Sequence, residues 1–518
     1  MDDRSESSLI GKARDYLRLL KKKIIKKTRR RMPFLLRRAS LEQVATATRC
    51  DIDRATINIL PEDVLLIIFD YYVKNGGWEV LVRVCPKWRY VVFQSPLRLN
   101  LRIRCSGVTP TRERLALWPP FPITIEESDW KLRSSTLKYR EDNITAALGH
   151  GDRVCAISLA VSSSLLESIF PAMQKTFVAL EDLWLFTTDD KASVVSDSFL
   201  GGSAPHLRRL KLLRIQFPFP VLRNLLLSAP NLVTLYLHGI PHSAYFSPEA
   251  IVTCLSALTR LNQLRIGFKS PRSRPPREGR HRTPTRSLLP ALTELRFVGI
   301  SEYLEDLVTR IDTPLLSQLC IKFFHQLIFD TPQLVQFICR TPMLKACDET
   351  HVIFSDLHVT MALSGRDKVE LTLGISCSQS DWQLSSMAQV FASFFPHALI
   401  PMPENLYIID GVFQRRFWQD DLENNQWLGL FHPFTAVKNF YLSQKIVPRI
   451  APALQELVGE RVPEVLPNLQ SIVLEDFQES GFVPESMRQF IAARQLSSHP
   501  ITISHSTSPD KWMLYKFI

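Results

Sequence analysis

Seven times between Val154 and Ile321 the chain repeats one short phrase, apolar-x-x-apolar-x-apolar, and no other feature restricts its fold as tightly. The phrase stands at Val154-Ile157-Leu159, Leu180-Leu183-Leu185, Leu207-Leu210-Leu212 and Leu232-Leu235-Leu237, then at Leu261-Leu264-Ile266, Leu292-Leu295-Phe297 and Leu316-Leu319-Ile321. Successive starts lie 26, 27, 25, 29, 31 and 24 residues apart. The last two apolar positions alternate, which is the period of a strand with one face buried, and the remainder of each interval is long enough for a returning helix or loop. A unit of this size cannot bury its own apolar face, so neighbours must supply the other wall. The phrase continues at Val369-Leu371-Leu373 and Leu406-Ile408, then at Val437-Phe440-Leu442 and Leu469-Ile472-Leu474; between Leu344 and Leu406 the spacing assigns no register.

This period is similar to that of leucine-rich repeats. The resemblance implies an α/β solenoid over 100–505, with parallel strands on the concave side and helices or loops on the convex side. Ala204-Pro205-His206, Ala229-Pro230-Asn231, Leu289-Pro290-Ala291 and Leu466-Pro467-Asn468 each precede a phrase, where a proline would break the returning helix before the next strand. Where such repeats often carry an asparagine that bonds neighbouring backbones, this chain has Ile215, Ile240 and Ile300. The expectation is an irregular solenoid without an asparagine ladder.

Ahead of the repeats, residues 60–96 read LPEDVLLIIFDYYVKNGGWEVLVRVCPKWRYVVFQSP. Pro61 suits the first position of a helix, and Glu62 and Asp63 set negative charge against its positive end. Val64, Leu65, Ile68, Phe69 and Tyr72 share one face at helical spacing, and Asn75-Gly76-Gly77 ends the helix. Leu81, Val84 and Cys85 form a second, short apolar set. Pro86 disfavours helical geometry at Cys85 and opens a third element carrying Trp88, Val91 and Val92. A module this small supports little core of its own, so the sequence leaves two readings open: a docking module completed by a partner, or a helical cap over one end of a larger domain.

The order and spacing of these residues resemble the F-box, whose consensus begins with Leu-Pro and a helix and later carries Val-Cys followed two residues on by Trp-Arg. The matching positions are Leu60, Pro61, Glu62, Val64, Leu65, Ile68, Phe69, Leu81, Val84, Cys85, Trp88 and Arg89. The resemblance implies docking onto a Skp-type adaptor, which bridges to a cullin. It assigns adaptor contact to Leu60, Pro61, Val64, Leu65 and Ile68, with Phe69, Leu81, Val84 and Cys85 as further adaptor-binding residues and Trp88 as contact or internal packing. Two positions depart from the family pattern: Asn-Gly-Gly-Trp replaces the usual acidic connector, and Pro86 stands where a basic residue is common.

The charge is concentrated. Residues 12–38 hold 13 basic side chains and one acidic one, or +12, which equals the formal excess of the whole chain. Residues 269–286 hold seven basic and one acidic, or +6, so everything outside the two segments sums to 12 − 12 − 6 = −6. Residues 1–45 are read as a disordered basic arm, open to polyanion contact, nuclear import or an anionic membrane surface. Residues 269–286, rich in Pro, Ser and Arg, are read as an exposed insertion, and 506–518 as a tail.

No phosphate-binding loop, dinucleotide fingerprint, HExxH or nucleophile elbow occurs, and nine cysteines and 12 histidines lack zinc-ligand spacing. Asp189-Asp190, Asp420-Asp421 and the trio Asp348, Glu349 and His351 are the nearest approaches to an acid/base group. The expectation is a chain without catalysis, metal or cofactor, and with neither secretory leader nor transmembrane segment. Phrases such as SPLRLNLRIRC, DSFLGGSAPHLRRL and SEYLEDLVTRIDTPLL resemble a group of fungal F-box proteins with degenerate leucine-rich repeats. That resemblance implies a substrate receptor of an SCF-type ubiquitin ligase acting in cytoplasm or nucleus on a protein target. A repeat scaffold without a ligase role is the alternative.

Overall fold

A computed structural model of the chain describes residues 60–73, 77–108, 110–128, 139–272, 285–344, 349–365, 368–377, 380–395, 403–411, 424–457, 459–475 and 483–506. The basic arm, most of the 269–286 insertion, residues 507–518 of the tail, Asp348 and Asp420-Asp421 lie outside them. The described residues form two compact units, divided between Leu101 and Arg102.

In the first unit, helix α1 (Glu62–Val73) begins directly after Pro61, whose carbonyl accepts the first helical bond from Leu65 N–H at 3.1 Å. A 3-10 turn follows at Trp78–Arg83, and helix α2 spans Pro86–Gln94. Pro86 holds Cys85 in an extended conformation (φ −160°, ψ 166°), and from there the Cys85 thiol accepts the Trp88 N–H at 3.5 Å as a helix cap. The second apolar set is therefore tighter and earlier than its spacing suggests: the 3-10 turn stops at Arg83, Val84 lies beyond it in water, and Cys85 serves the next helix. Arg89 Nε donates to the Val82 carbonyl at 3.0 Å and Lys87 Nζ to the Leu60 carbonyl at 3.1 Å, tying α2 to both earlier segments.

The second unit is mixed α/β and built on one long sheet. Its strands are β1 (Ile103–Cys105), β2 (Ile123–Ser128), β3 (Val154–Val161), β4 (Asp182–Thr187), β5 (Arg209–Leu213), β6 (Thr234–Ile240), β7 (Gln263–Phe268) and β8 (Glu294–Gly299). The rest are β9 (Gln318–Phe324), β10 (Glu349–Phe354), β11 (His358–Gly365), β12 (Lys368–Ser376), β13 (Asn405–Asp410), β14 (Asn439–Leu442), β15 (Ser471–Glu475) and β16 (Thr502–Ser506). Strands β1 to β9 are neighbours in chain order and all parallel.

The register follows the phrase. Ile157, Leu183, Leu210, Leu235, Leu264, Leu295 and Leu319 are partners across successive strands, as are Leu159, Leu185, Leu212, Leu237, Ile266, Phe297 and Ile321. All are buried, and returning helices such as Phe219–Leu227, Pro248–Leu255, Ser301–Thr309 and Pro332–Arg340 bury their own leucines with them. Each proline break is a turn with proline second. The N–H of Leu207, Leu232, Leu292 and Leu469 returns to the carbonyl of Ala204, Ala229, Leu289 and Leu466, so the first phrase residue is delivered inward as the strand begins.

At the supposed asparagine positions Ile215, Ile240 and Ile300 are buried apolar plugs. Neighbouring coils are joined instead through backbone: in each, one carbonyl accepts two successive N–H groups from the next. Arg208 O takes Val233 and Thr234, Val233 O takes Asn262 and Gln263, Asn262 O takes Thr293 and Glu294, and Thr293 O takes Ser317 and Gln318, all at 2.8 to 3.1 Å. The same pairing recurs from Glu404 O to Lys438 and Asn439.

After β9 the order departs from any simple repeat. The sheet runs β9-β12-β11-β10-β13, with β11 antiparallel to both neighbours and β10 parallel to β13. The chain lays β10 three positions beyond β9, turns back through 355–357 into β11, and fills the remaining place with β12, whose Leu371 and Leu373 still pair with Leu319 and Ile321. The phrase thus persists at its expected place, while two further strands are inserted beside it. Their sequence gave no alternation to detect, because β10 and β11 are buried on both faces. Beyond them Leu406, Phe440, Ile472 and Ile503 align in one row.

Candidate functional site

In the helical unit the inward face of α1 is Leu65, Leu66 and Phe69, not the five residues that the spacing selects. Phe69 meets Trp88 edge-on at 4.8 Å, and Trp78 meets Phe93 at 6.1 Å. Four residues expected as adaptor contacts are therefore internal: Leu65, Phe69, Leu81 and Trp88 are each at most 4% exposed. They hold the module's shape and offer no contact surface of their own. Leu60, Val64, Ile68 and Cys85 are half-buried, while Pro61 and Val84 are exposed. Further apolar side chains of this unit that spacing alone did not single out are exposed: Ile67, Tyr71, Val80 and Tyr90. A signal existed for two of them, since Ile67 and Tyr71 are four apart on the same helix.

In the repeat unit the x residue between the last two apolar positions of each phrase points away from the leucines. Register places Trp184, Lys211, Tyr236, Arg265, Arg296 and Cys320 side by side on β4 to β9. Flanking positions on the same face add Asp182, Arg209, Glu294 and Lys322. Five cations against two acids leave 5 − 2 = +3 on this face, on a body that sums to −6 outside the two basic segments. The arginines are held. Arg265 and Arg296 share the Glu294 carboxylate at 2.7 and 2.5 Å, Arg209 pairs with Asp182 at 2.5 Å, and Arg265 lies over the Tyr236 ring at 5.2 Å. Lys211 and Lys322 have no ion-pair partner among the described residues. Burial, reinforced by the nearby Arg214 and Lys322 charges, pushes the His238 imidazole below its ordinary pKa, so this side chain adds no charge at pH 7.

The paired carboxylates of the sequence separate in the fold. Asp189 accepts from the N–H and hydroxyl of Ser163, both at 2.9 Å, at the start of helix Ser163–Ile169, whereas exposed Asp190 faces Arg214 at 3.4 Å. Desolvation works against the Asp189 anion, but the Ser163 bonds outweigh it and hold the carboxyl below its usual range. Glu349 and His351 do meet, Oε2 to Nε2 at 3.4 Å. The buried His351 ring then stacks on Tyr407 at 4.2 Å, and Tyr407 on Tyr441 at 4.1 Å, which makes it one layer of an aromatic column across β10, β13 and β14. Burial, then the Glu349 charge, pushes the Tyr407 phenol far up.

At the end of β15, Glu475 is buried, and desolvation raises its carboxyl to about 7 despite a backbone hydrogen bond and the Lys445 charge. A carboxyl raised in the folded state stabilises fully below its unfolded value and loses that contribution as pH climbs through 7. Glu475→Gln is accordingly expected to raise the stability of the repeat unit at pH 8 by on the order of 1 to 3 kcal/mol and to change it little at pH 5, read from urea midpoints at the two pH values. An equal effect at both would show that the charge is not what matters.

Among the described residues no helix is long and apolar enough to cross a membrane. No protein-family model matches the sequence, and no curated protein matches it. Among solved structures the chain is similar to the leucine-rich repeat-containing protein LegL7 from Legionella pneumophila, at 12% identity and a TM-score of 0.23, over 77% of this chain and 98% of that one. A likeness at that TM-score carries no argument; the repeat architecture rests on strand register alone.

Proposed function

We propose that this chain is the substrate-recognition subunit of an SCF-type ubiquitin ligase. Its helical unit docks a Skp-type adaptor, and through it a cullin, while the sheet of the repeat unit holds a target protein. What supports the reading above all is that the Leu-Pro start directly precedes α1 and the Val-Cys pair directly precedes α2, which carries Pro86, Lys87, Trp88 and Arg89, in the order that the F-box resemblance implies and within a compact unit of their own. Adaptor contact falls to Leu60, Pro61, Val64 and Ile68, joined by the exposed Ile67 and Tyr71. Gross burial of each aliphatic side chain contributes about 1.5 to 3 kcal/mol before association costs, so several anchors are required. The chain itself makes and breaks no bond. It raises the effective concentration of a target lysine beside the charged enzyme that the complex brings.

Full-length chain mixed with a Skp-type adaptor is expected to co-elute on size exclusion. Leu60→Ala with Pro61→Ala should weaken that association by about tenfold or more, with the thermal melt of the chain unchanged, because neither side chain is in the core. Absence of co-elution by the wild-type chain would overturn the ligase reading.

A further inference from the structure

Four large apolar side chains stand in water where β9 to β12 lie side by side in the repeat sheet. Leu327 and Ile328 lie in the loop after β9, Leu357 in the turn from β10 to β11, and Trp382 at the start of helix Ser380–Phe394. That helix binds both loops into one surface. Gln389 donates to the Leu327 carbonyl at 3.2 Å and accepts the Phe329 N–H at 3.0 Å, while Gln383 Nε2 donates to the carbonyls of Ser355 at 2.9 Å and Cys377 at 2.6 Å. The Cys377 N–H in turn donates to the Leu357 carbonyl at 2.9 Å, and Trp382 stacks on His325 at 4.7 Å. The patch exists because β10 and β11 are inserted here; a simple repeat would have no 355–357 turn at this place.

The patch begins where the cationic face ends. Lys322 lies on β9, three residues ahead of His325 just past the strand's end, and its charge, after burial, helps lower the pKa of His358 beside Leu357. From Lys211 on β5 to Lys322 on β9 the face spans four strand steps of about 4.8 Å, or roughly 19 Å, which an extended peptide covers in about six residues.

We infer that the outward face of β5 to β9 takes an acidic, extended segment of a partner protein, lying across the strands with Lys211 and Lys322 as its free cations and a bulky apolar residue seated on Leu327, Ile328, Leu357 and Trp382. Charge complementarity and the continuity of the two surfaces support a peptide occupant. Nucleic acid fits less well. Arg265 already covers Tyr236 and Arg214 lies 5.8 Å from the Phe186 ring, so these two aromatic faces are taken up by cations and not open for base stacking. The inference rests on the proposed function in treating this segment as part of a target, and deepens it by naming the target's chemistry.

The test uses the full chain and four fluorescent probes: a twelve-residue Glu/Asp-rich peptide ending in Leu-Phe, the same peptide with Gln/Asn for its acids, the acidic peptide ending in Ser-Ser, and a single-stranded RNA of matched charge. The first is expected to bind tightest in anisotropy titrations. Lys211→Glu with Lys322→Glu should weaken it by about tenfold, and Leu327→Ser with Ile328→Ser should abolish its advantage over the Ser-Ser peptide. Because residues 12–38 are also basic, the difference between wild type and variant is the readout. RNA binding reduced equally by the lysine variant, or an acidic peptide indifferent to it, would overturn the inference. Adaptor co-elution reads the helical unit alone: its failure with these peptide results would remove only the ligase reading, and its success without them only the present one.

Discussion

Trp88→Ala is expected to unfold the helical unit. Trp88 is 3% exposed and packs edge-on against the fully buried Phe69 of α1. Truncating a buried tryptophan costs about 3 to 5 kcal/mol, while a module of this size has a stability on the order of 2 to 6 kcal/mol, so the loss consumes most of it. Hydrogen exchange read by mass spectrometry should show α1 and α2 losing protection, with β3 to β9 retaining theirs. Trp88→Phe separates packing from chemistry. Trp88 Nε1 is buried without an acceptor among the described residues, so its removal relieves an unmet hydrogen bond and the conservative variant should stay folded. Adaptor co-elution should be lost with Trp88→Ala through unfolding and with the Leu60/Pro61 variant without it. Retained protection in Trp88→Ala would mean that the unit does not depend on this core.

The second large effect lies at Tyr303. This side chain is fully buried in the helix Ser301–Thr309, with Phe268 at 4.7 Å, Phe297 stacked at 5.7 Å and Tyr245 at 6.1 Å. Tyr303→Ala should cost about 3 to 5 kcal/mol and expose β7 and β8 to exchange, since neighbouring repeats supply each other's walls. Tyr303→Phe should do the opposite. The Tyr303 hydroxyl is buried with no hydrogen-bond partner among the described residues, so deleting it is expected to stabilise by about 1 kcal/mol. The same burial gives a pH signature: it pushes Tyr303 well above the usual phenol value and Tyr245 to about 12. For a phenol raised in the folded state, the unfolded chain ionises first. Stability is therefore complete below about pH 10 and falls as pH rises toward 12 and beyond. Tyr303→Phe should move alkaline unfolding to higher pH; an unchanged midpoint would mean that Tyr303 is not the group that limits it.

Much of the repeat unit could be read without coordinates because its phrase is local and periodic. Once Leu183 and Leu185 are assigned to a buried face, Trp184 must leave on the other, and stacking in phase puts it beside Lys211 and Tyr236. The candidate face was thus written in the x positions of the phrase. Strands β1 and β2 escaped because Ile103, Cys105, Ile123 and Ile125 lack the leading apolar residue that marks later repeats. The antiparallel pair escaped because strands covered on both sides lose the alternation that betrays a strand. In the helical unit, helical order followed from Pro61 and Pro86, but the inward face was misjudged by about one residue: a short amphipathic run with apolar residues at 64 to 69 admits several orientations, and the aromatic partner Trp88 chose one.

Local pattern determined the repeating coil, its proline turns, the row of leucines and the order of the helical segments, since each depends on residues a few positions apart. Tertiary contact alone decided which of the ten suggested docking residues remain at the surface, where β12 enters the sheet, and that Leu327, Ile328, Leu357 and Trp382 share one patch next to Lys322. These groups are separated by tens of residues in the chain, and only the packing energy of the completed sheet, with the glutamines of one helix bridging two loops, brings them together.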